Sequence, residues 1–126
     1  MTQVLVVGAG GFIGSVLRYW LSGLVQRSAH DIFPAGTLIV NLVGCLLMGL
    51  LWGLVEYGKW FRPETRLFLA TGILGGFTTF STFGFETFAL VHDRQYVAAT
   101  ANVVASVVIG ILAVFLGWMA GKALAA

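Results

Sequence analysis

Long apolar runs separated by short polar links make up nearly the whole chain. Four runs are readable, at about residues 3–25, 34–57, 65–91 and 96–120. Each is close to the roughly 20 residues a helix needs to cross the hydrocarbon core of a bilayer. The links at 26–33, 58–64 and 92–95 leave no room for a soluble domain. The pattern predicts an all-α membrane protein, with residues 1–126 forming one four-span domain. Pro34 suits the first turn of the second helix. Trp20, Tyr57, Trp60, Tyr96 and Trp118 fall near run ends, where amphipathic rings sit at the membrane surface.

The third run departs from a plain lipid-facing helix. Its middle reads Gly75-Gly76-Phe77-Thr78-Thr79-Phe80-Ser81-Thr82-Phe83-Gly84-Phe85-Glu86. Hydroxyls and a glycine pair at membrane depth persist where they are buried in protein or line a watery cavity. The stretch therefore predicts a third helix broken near its middle and lining a site for something small. A broken helix leaves backbone carbonyls without donors, and such carbonyls attract cations. The segment at 75–78 is thus a candidate site for a monovalent cation.

Composition sharpens this. The chain is 59% hydrophobic and only 10% charged, with a mean hydropathy of +0.95, against about 25% charged residues in soluble domains. A net charge of +2 is too small to suggest nucleic acid. The single cysteine, Cys45, excludes an intrachain disulfide and a cysteine-rich metal site, and reads as a small packing residue. The N-terminus lacks a basic region and a small-residue cleavage site, so the first run is expected to remain as a span.

Glycine patterning points to packing. Residues 6–14, Val-Val-Gly-Ala-Gly-Gly-Phe-Ile-Gly, superficially match a dinucleotide-binding turn, with Asp31 near the distance of its acid. The apolar run that follows, and the short chain, argue against a doubly wound sheet. Gly10 with Gly14, Gly49 with Gly53 and Gly117 with Gly121 instead repeat the small-xxx-small spacing that lets membrane helices approach closely. Basic residues divide weakly between the two membrane faces: Lys59, Arg62, Arg66 and Lys122 on one, Arg27 and Arg94, with Arg18 near the end of its run, on the other. So weak a bias is compatible with insertion in both orientations and with antiparallel pairing of two copies.

No catalytic constellation is present. His30 and His92 lie in links on opposite faces, and Asp31, Glu56, Glu64 and Asp93 flank run ends. A polar track is a better candidate: Asn41 in the second run, and Asn102, Ser106 and then Gly110 at four-residue spacing on one face of the fourth. These residues serve either a pore or interhelical hydrogen bonds, and the spacing does not choose. The donors offered are neutral and no acid other than Glu86 lies in the core runs, which suits an anion that must shed water. Phenylalanine edges carry the positive part of the ring quadrupole, so rings among Phe77, Phe80, Phe83, Phe85 and Phe88 could ligate an anion without a cation trapping it; ordinary packing is the alternative for these rings.

The sequence resembles the small fluoride channels of the Fluc, or CrcB, family over almost its whole length. The likeness lies in Gly10-Gly11-x-x-Gly14 with Arg18-Tyr19, in Gly36-Thr37-Leu38-x-Val40-Asn41-x-x-Gly44, and in the highly specific run from Gly75 to Phe83 with Glu86. It implies an antiparallel, dual-topology homodimer in the bacterial inner membrane, with two pores lined by both subunits, conducting fluoride passively. By the same resemblance Phe80 and Phe83 face the ion with their ring edges and Asn41 donates an amide. Ser81, Thr82 and Ser106 supply hydroxyls, Glu86 lies toward one pore end, and Arg18 lies in the vestibule. Carbonyls of Gly75 and Thr78 from each subunit hold a structural Na⁺. Fluoride, membrane lipid and a second copy of the chain are the implied partners. The competing class is a proton-coupled exporter of small cationic drugs, but that mechanism favours an acid in the first span, which has none.

Overall fold

The computed structural model describes residues 1–29, 32–58 and 61–126; His30, Asp31, Lys59 and Trp60, named above, lie outside them. Among the described residues there is no strand. Four helical stretches are long and apolar enough to cross a membrane. The first two are single helices, α1 (Thr2–Ala29) and α2 (Ala35–Tyr57). The third stretch, Pro63–His92, comprises α3 (Pro63–Arg66), a π-helical segment (Leu67–Leu74), α4 (Gly75–Phe77) and α5 (Phe80–His92). The fourth comprises α6 (Tyr96–Val104), a π-helical segment (Ala105–Ile109) and α7 (Gly110–Ala125). The Gly8–Gly14 stretch is helical throughout, so no strand-turn-helix is built there.

Lipid gives apolar side chains no reason to leave it, so helices in a bilayer associate through close van der Waals contact and interhelical hydrogen bonds. The glycines provide the contact. α2 packs most extensively on α7, with Gly49 and Gly53 of one seated against the backbone of the other near Gly117 and Gly121. A Cβ at Gly53 would lie 2.8 Å from the Lys122 amide nitrogen and 3.0 Å from the Gly121 Cα. α1 packs on the first half of the third stretch in the same way: a Cβ at Gly10 would lie 2.7 Å from the Phe68 carbonyl oxygen and 2.8 Å from the Gly72 Cα. At one end of the α2–α7 seam, Trp118 Nε1 donates to Glu56 Oε2 at 2.8 Å, and the Lys122 ammonium lies 4.9 Å from the Tyr57 ring centre. This pairs an apolar ring body with a polar rim, as suits the membrane surface.

The connections are closed by specific bonds. Before α2, the Gln26 side chain donates to the Phe33 carbonyl and accepts from the Gly36 amide, both at 3.1 Å, which satisfies one of the free donors of a helix start. Pro34 occupies the position just ahead of the first turn. Between α5 and α6 the chain turns through Arg94 at a φ of 60°, with the Gln95 amide donating to the Leu90 carbonyl at 2.8 Å.

The third stretch leaves the helix at Thr78 (φ −83°, ψ 156°) and Thr79 (φ −150°, ψ 117°), at the threonines of the glycine- and hydroxyl-rich run and not at its glycine pair. Gly75 and Gly76 remain helical, and Gly76 is used for close approach: a Cβ there would stand 2.6 Å from the Gly11 carbonyl oxygen. β-Branched threonine is at ease in extended backbone. The Thr79 hydroxyl then accepts from the Thr82 amide at 3.3 Å as the N-cap of α5.

If the α2–α7 seam depends on backbone approach, one methyl group will disturb it. Gly49→Ala places a Cβ against the α7 backbone at Val114 and Trp118. It should destabilise the protein by about 1–3 kcal/mol, the usual cost of overpacking. Gly8→Ala, whose Cβ meets nothing within 4 Å, should be neutral. Thermal unfolding of both variants in the same detergent checks this; equal midpoints would remove the seam from the account.

Candidate functional site

The centre of the molecule is built around the two extended residues. In hydrocarbon their amides and carbonyls have no water to turn to, so another group must pair them. Asn41 of α2 does this in both directions: its Nδ2 donates to the Thr79 carbonyl at 3.0 Å, and its Oδ1 accepts from the Thr79 amide at 2.8 Å. A primary amide has the same donor and acceptor as a peptide group, with one N–H to spare. Gly44, one turn further along α2, leaves the space that the Thr78 methyl group enters. The Thr78 hydroxyl turns back to donate to the Leu74 carbonyl at 3.0 Å.

These bonds have a consequence for two carbonyls. In an unbroken helix the Gly75 oxygen would take the Thr79 amide and the Thr78 oxygen the Thr82 amide. Here Thr79 N–H goes to Asn41 and Thr82 N–H to the Thr79 hydroxyl.

Three contiguous grooves surround this point. The first, of about 500 Å³, is lined by Asn41, Thr79, Phe80, Phe83, Ser106 and Gly110, with Cys45 on the same wall. The Phe80 and Phe83 ring centres are 5.5 Å apart with planes tilted by 46°. Phe80 is 83% exposed, so its ring projects out of the subunit. Ser106 Oγ is buried and has no partner among the described residues. Among the described residues, no charged side chain lines this groove.

The second groove, of about 410 Å³, contains Ser22, Gln26, Thr37, Thr82, Glu86 and Asp93. The Thr37 hydroxyl donates to Glu86 Oε1 at 2.8 Å, while Oε2 is buried without a partner among the described residues. The third, of about 220 Å³, holds Ser15, Arg18, Tyr19, Thr37, Thr79 and Thr82. Thr37 and Thr82 line both the second and the third, and Thr79 lines both the third and the first. A hydroxyl-rich seam therefore runs past the extended pair, with charged groups in the second and third grooves and neutral ones in the first.

Of the residues singled out in the sequence, Asn41, Phe80, Phe83 and Ser106 share the first groove; Thr82 and Glu86 meet in the second; Arg18 stands in the third. Ser81 is exposed, outside all three, its hydroxyl 3.4 Å from that of Thr79. Gly75 is exposed and Thr78 lines the first groove. The fourth-run track divides: Ser106 and Gly110 reach the groove, whereas Asn102, 2% exposed, donates to the Thr87 hydroxyl at 3.0 Å. The π-helical segment that begins at Ala105 changes the rotation per residue, so the simple four-residue spacing does not carry through. Thr37 and Thr79 were not singled out individually. The signal available was the presence of each in a polar cluster at membrane depth, close to Asn41 or to Ser81 and Thr82.

Comparison with known proteins places this geometry in a family. Residues 5–118 match the family model described as CrcB-like protein, Camphor Resistance (CrcB). Fluoride-specific ion channel FluC 1 of Methanosarcina acetivorans is 49% identical over 126 residues, covering 100% of this chain and 95% of the relative. FluC 3 of Methanosarcina barkeri is 46% identical over 117 residues, covering 93% and 88% respectively. Fluoride-specific ion channel FluC of Pyrococcus furiosus is 43% identical over 122 residues, covering 97% and 98%.

The Asn41 bonds are open to a direct test. Asn41→Leu strands the Thr79 amide and carbonyl, each at a cost of about 1–3 kcal/mol for an unpaired buried group. Amide hydrogen exchange should accelerate at Thr79 and through the first turn of α5, while α7 stays protected. Unchanged exchange at Thr79 would show that Asn41 does not hold the extended pair.

Proposed function

This chain belongs to the CrcB-like family, and from that membership we propose that it is a passive, fluoride-selective ion channel which lets fluoride leave the cell down its electrochemical gradient. The observation that carries the reading is the first groove: two phenylalanine rings, an asparagine amide and a serine hydroxyl converge there, the serine without a partner and the lining without a charged side chain among the described residues. Fluoride gives up strong hydration to enter hydrocarbon, so a path for it must offer donors. A fixed cation would hold the ion too well for conduction, which requires binding weak enough to release. Neutral donors avoid this. Asn41 keeps one N–H beyond the one given to Thr79. Ser106 offers an O–H that has no partner among the described residues, and the rings of Phe80 and Phe83 present positive edges.

The grooves divide the passage into stages. Arg18 in the third groove attracts the anion toward the hydroxyls of Thr79 and Thr82. Ser81 continues the hydroxyl run on the exposed side of α5. Glu86, bonded to Thr37 in the second groove, sits toward one end of the path. An anion crossing the membrane is driven by about 2.3 kcal/mol per 100 mV of potential. Neutral hydrogen fluoride crosses lipid unaided and dissociates in a less acidic interior, so a passive anion path suffices for export.

One subunit offers an open groove with an outward-projecting ring, and four helices alone are a poor enclosure. An antiparallel, dual-topology homodimer with two pores supplies the missing wall, Phe80 of one copy reaching toward the other. The weak basic bias agrees with insertion in both orientations. The Gly75 and Thr78 carbonyls fit a structural Na⁺, because the amides that would close the helix on them are engaged elsewhere. Two such pairs, one from each subunit, would hold the ion at the dimer centre through oxygen alone. The setting is the plasma membrane, the inner membrane in a bacterial host. Proton-coupled export of cationic drugs is disfavoured, since α1 carries no acid.

Purified protein in liposomes loaded with potassium fluoride, with valinomycin to clamp the potential, should release fluoride while a chloride-loaded sample stays silent. Phe80→Ile keeps the bulk but removes the ring edge. It should cut fluoride release by at least about tenfold, a loss of about 1.4 kcal/mol of stabilisation along the path, while the protein remains dimeric. Near-normal release would exclude the ring from the ion path.

A further inference from the structure

Asn102 is one of the most deeply buried side chains in the molecule, yet it lies outside the groove. Its bonding explains why. Asn102 Nδ2 donates to Thr87 Oγ1 at 3.0 Å, and Thr87 Oγ1 donates to the Phe83 carbonyl at 2.8 Å. A hydroxyl has one proton. Because Thr87 spends it on Phe83, it meets Asn102 as an acceptor, and the direction of the chain is fixed from Asn102 to Thr87 to Phe83.

The chain of bonds ties together the two walls of the groove. Phe83 is on α5, a helix of 13 residues that begins directly after the extended pair and packs chiefly on α6. Ser106 follows Asn102 by one turn, in the π-helical segment that continues α6. The stretch that brings Ser106 to the groove therefore also grips α5 through Asn102, one turn beyond Phe83. Among the described residues, this is the side-chain hydrogen bond that links α5 to α6. Rotation of α5 about its axis would swing the Phe83 ring away from Ser106, and the Asn102–Thr87 bond opposes that rotation.

We propose that Asn102 is a positioning residue for conduction: through the Thr87 hydroxyl it fixes the rotation of α5, and with it the orientation of the Phe83 ring toward Ser106. This rests on the channel reading above. The plainer role is simple adhesion between two helices, a common use of side-chain hydrogen bonds in membranes. Adhesion predicts a modest loss of stability with conduction per assembled protein unchanged. Positioning predicts lost conduction in protein that still assembles, because small misplacements at a binding geometry are costly.

The test uses the full chain in fluoride-loaded liposomes, with release measured per dimer and assembly checked by size-exclusion chromatography. Thr87→Val, which keeps shape and loses the hydroxyl, should lower fluoride release about tenfold or more, whereas Thr87→Ser, which restores the hydroxyl, should stay within about twofold of the unaltered protein. Asn102→Leu should lower release to a similar level, and combining it with Thr87→Val should add little, since both break one chain. Thr87→Val conducting normally, Thr87→Ser failing as badly as Thr87→Val, or losses that multiply in the double variant would each overturn the proposal. If Asn102→Leu does not assemble, the valine and serine pair at Thr87 decides alone. Silence from the unaltered protein overturns the channel reading itself, and conduction by both it and Thr87→Val overturns only the positioning role.

Discussion

The constraint on which the rest depends is that hydrocarbon leaves no backbone polar group unpaired without cost. A membrane helix meets it automatically, residue by residue. Where this chain leaves the helix, at Thr78 and Thr79, a substitute must be found, and the substitute is a side chain. Asn41 returns both the donor and the acceptor that Thr79 has lost. The arrangement is more than a repair. Asn41 takes the Thr79 amide and the Thr79 hydroxyl takes the Thr82 amide, so the Gly75 and Thr78 carbonyls lose the donors an unbroken helix would give them. The same asparagine lines the first groove and retains one N–H beyond the one given to Thr79. Structure and chemistry thus share one residue.

Close glycine packing makes that possible. Asn41 reaches Thr79 because α2 lies near enough, and Gly44 is what admits the Thr78 methyl group between them. The seams at Gly10 and Gly14, and at Gly49 and Gly53 against Gly117 and Gly121, hold the flanking helices at backbone contact. Few large side chains are buried as a result; Val40, Leu74, Phe77 and Leu90 are the principal ones. The subunit is held together by approach of main chains more than by a core in the sense of a soluble domain.

Much of this was legible in the sequence for a physical reason. A bilayer admits few spanning designs, so runs of apolar residues near the required length read directly as helices, and paired glycines at four-residue spacing read as seams. The clustering of Asn41, Phe80, Phe83 and Ser106 in one groove was only partly legible. What was not legible depends on distant partners. The choice of Thr78 and Thr79 over Gly75 and Gly76 as the extended pair depends on Asn41, 38 positions away, and no local propensity reports that. Asn102 and Ser106 looked equivalent by spacing. The π-helical turn between α6 and α7 separates them, sending one to Thr87 and the other to the groove.

The outward projection of Phe80 bears on how the protein is made. A newly inserted copy presents that ring to lipid together with Thr71, Gly75 and Ser81, all exposed. Lipid tails tolerate the ring but offer nothing to the hydroxyls or to a bare glycine backbone. If the subunit pairs as proposed, a lone copy is a biosynthetic intermediate with a recognisable surface. In that case its lifetime is set by how soon it meets a complement. Low expression would then lower the yield of functional protein more steeply than in proportion to the copies synthesised.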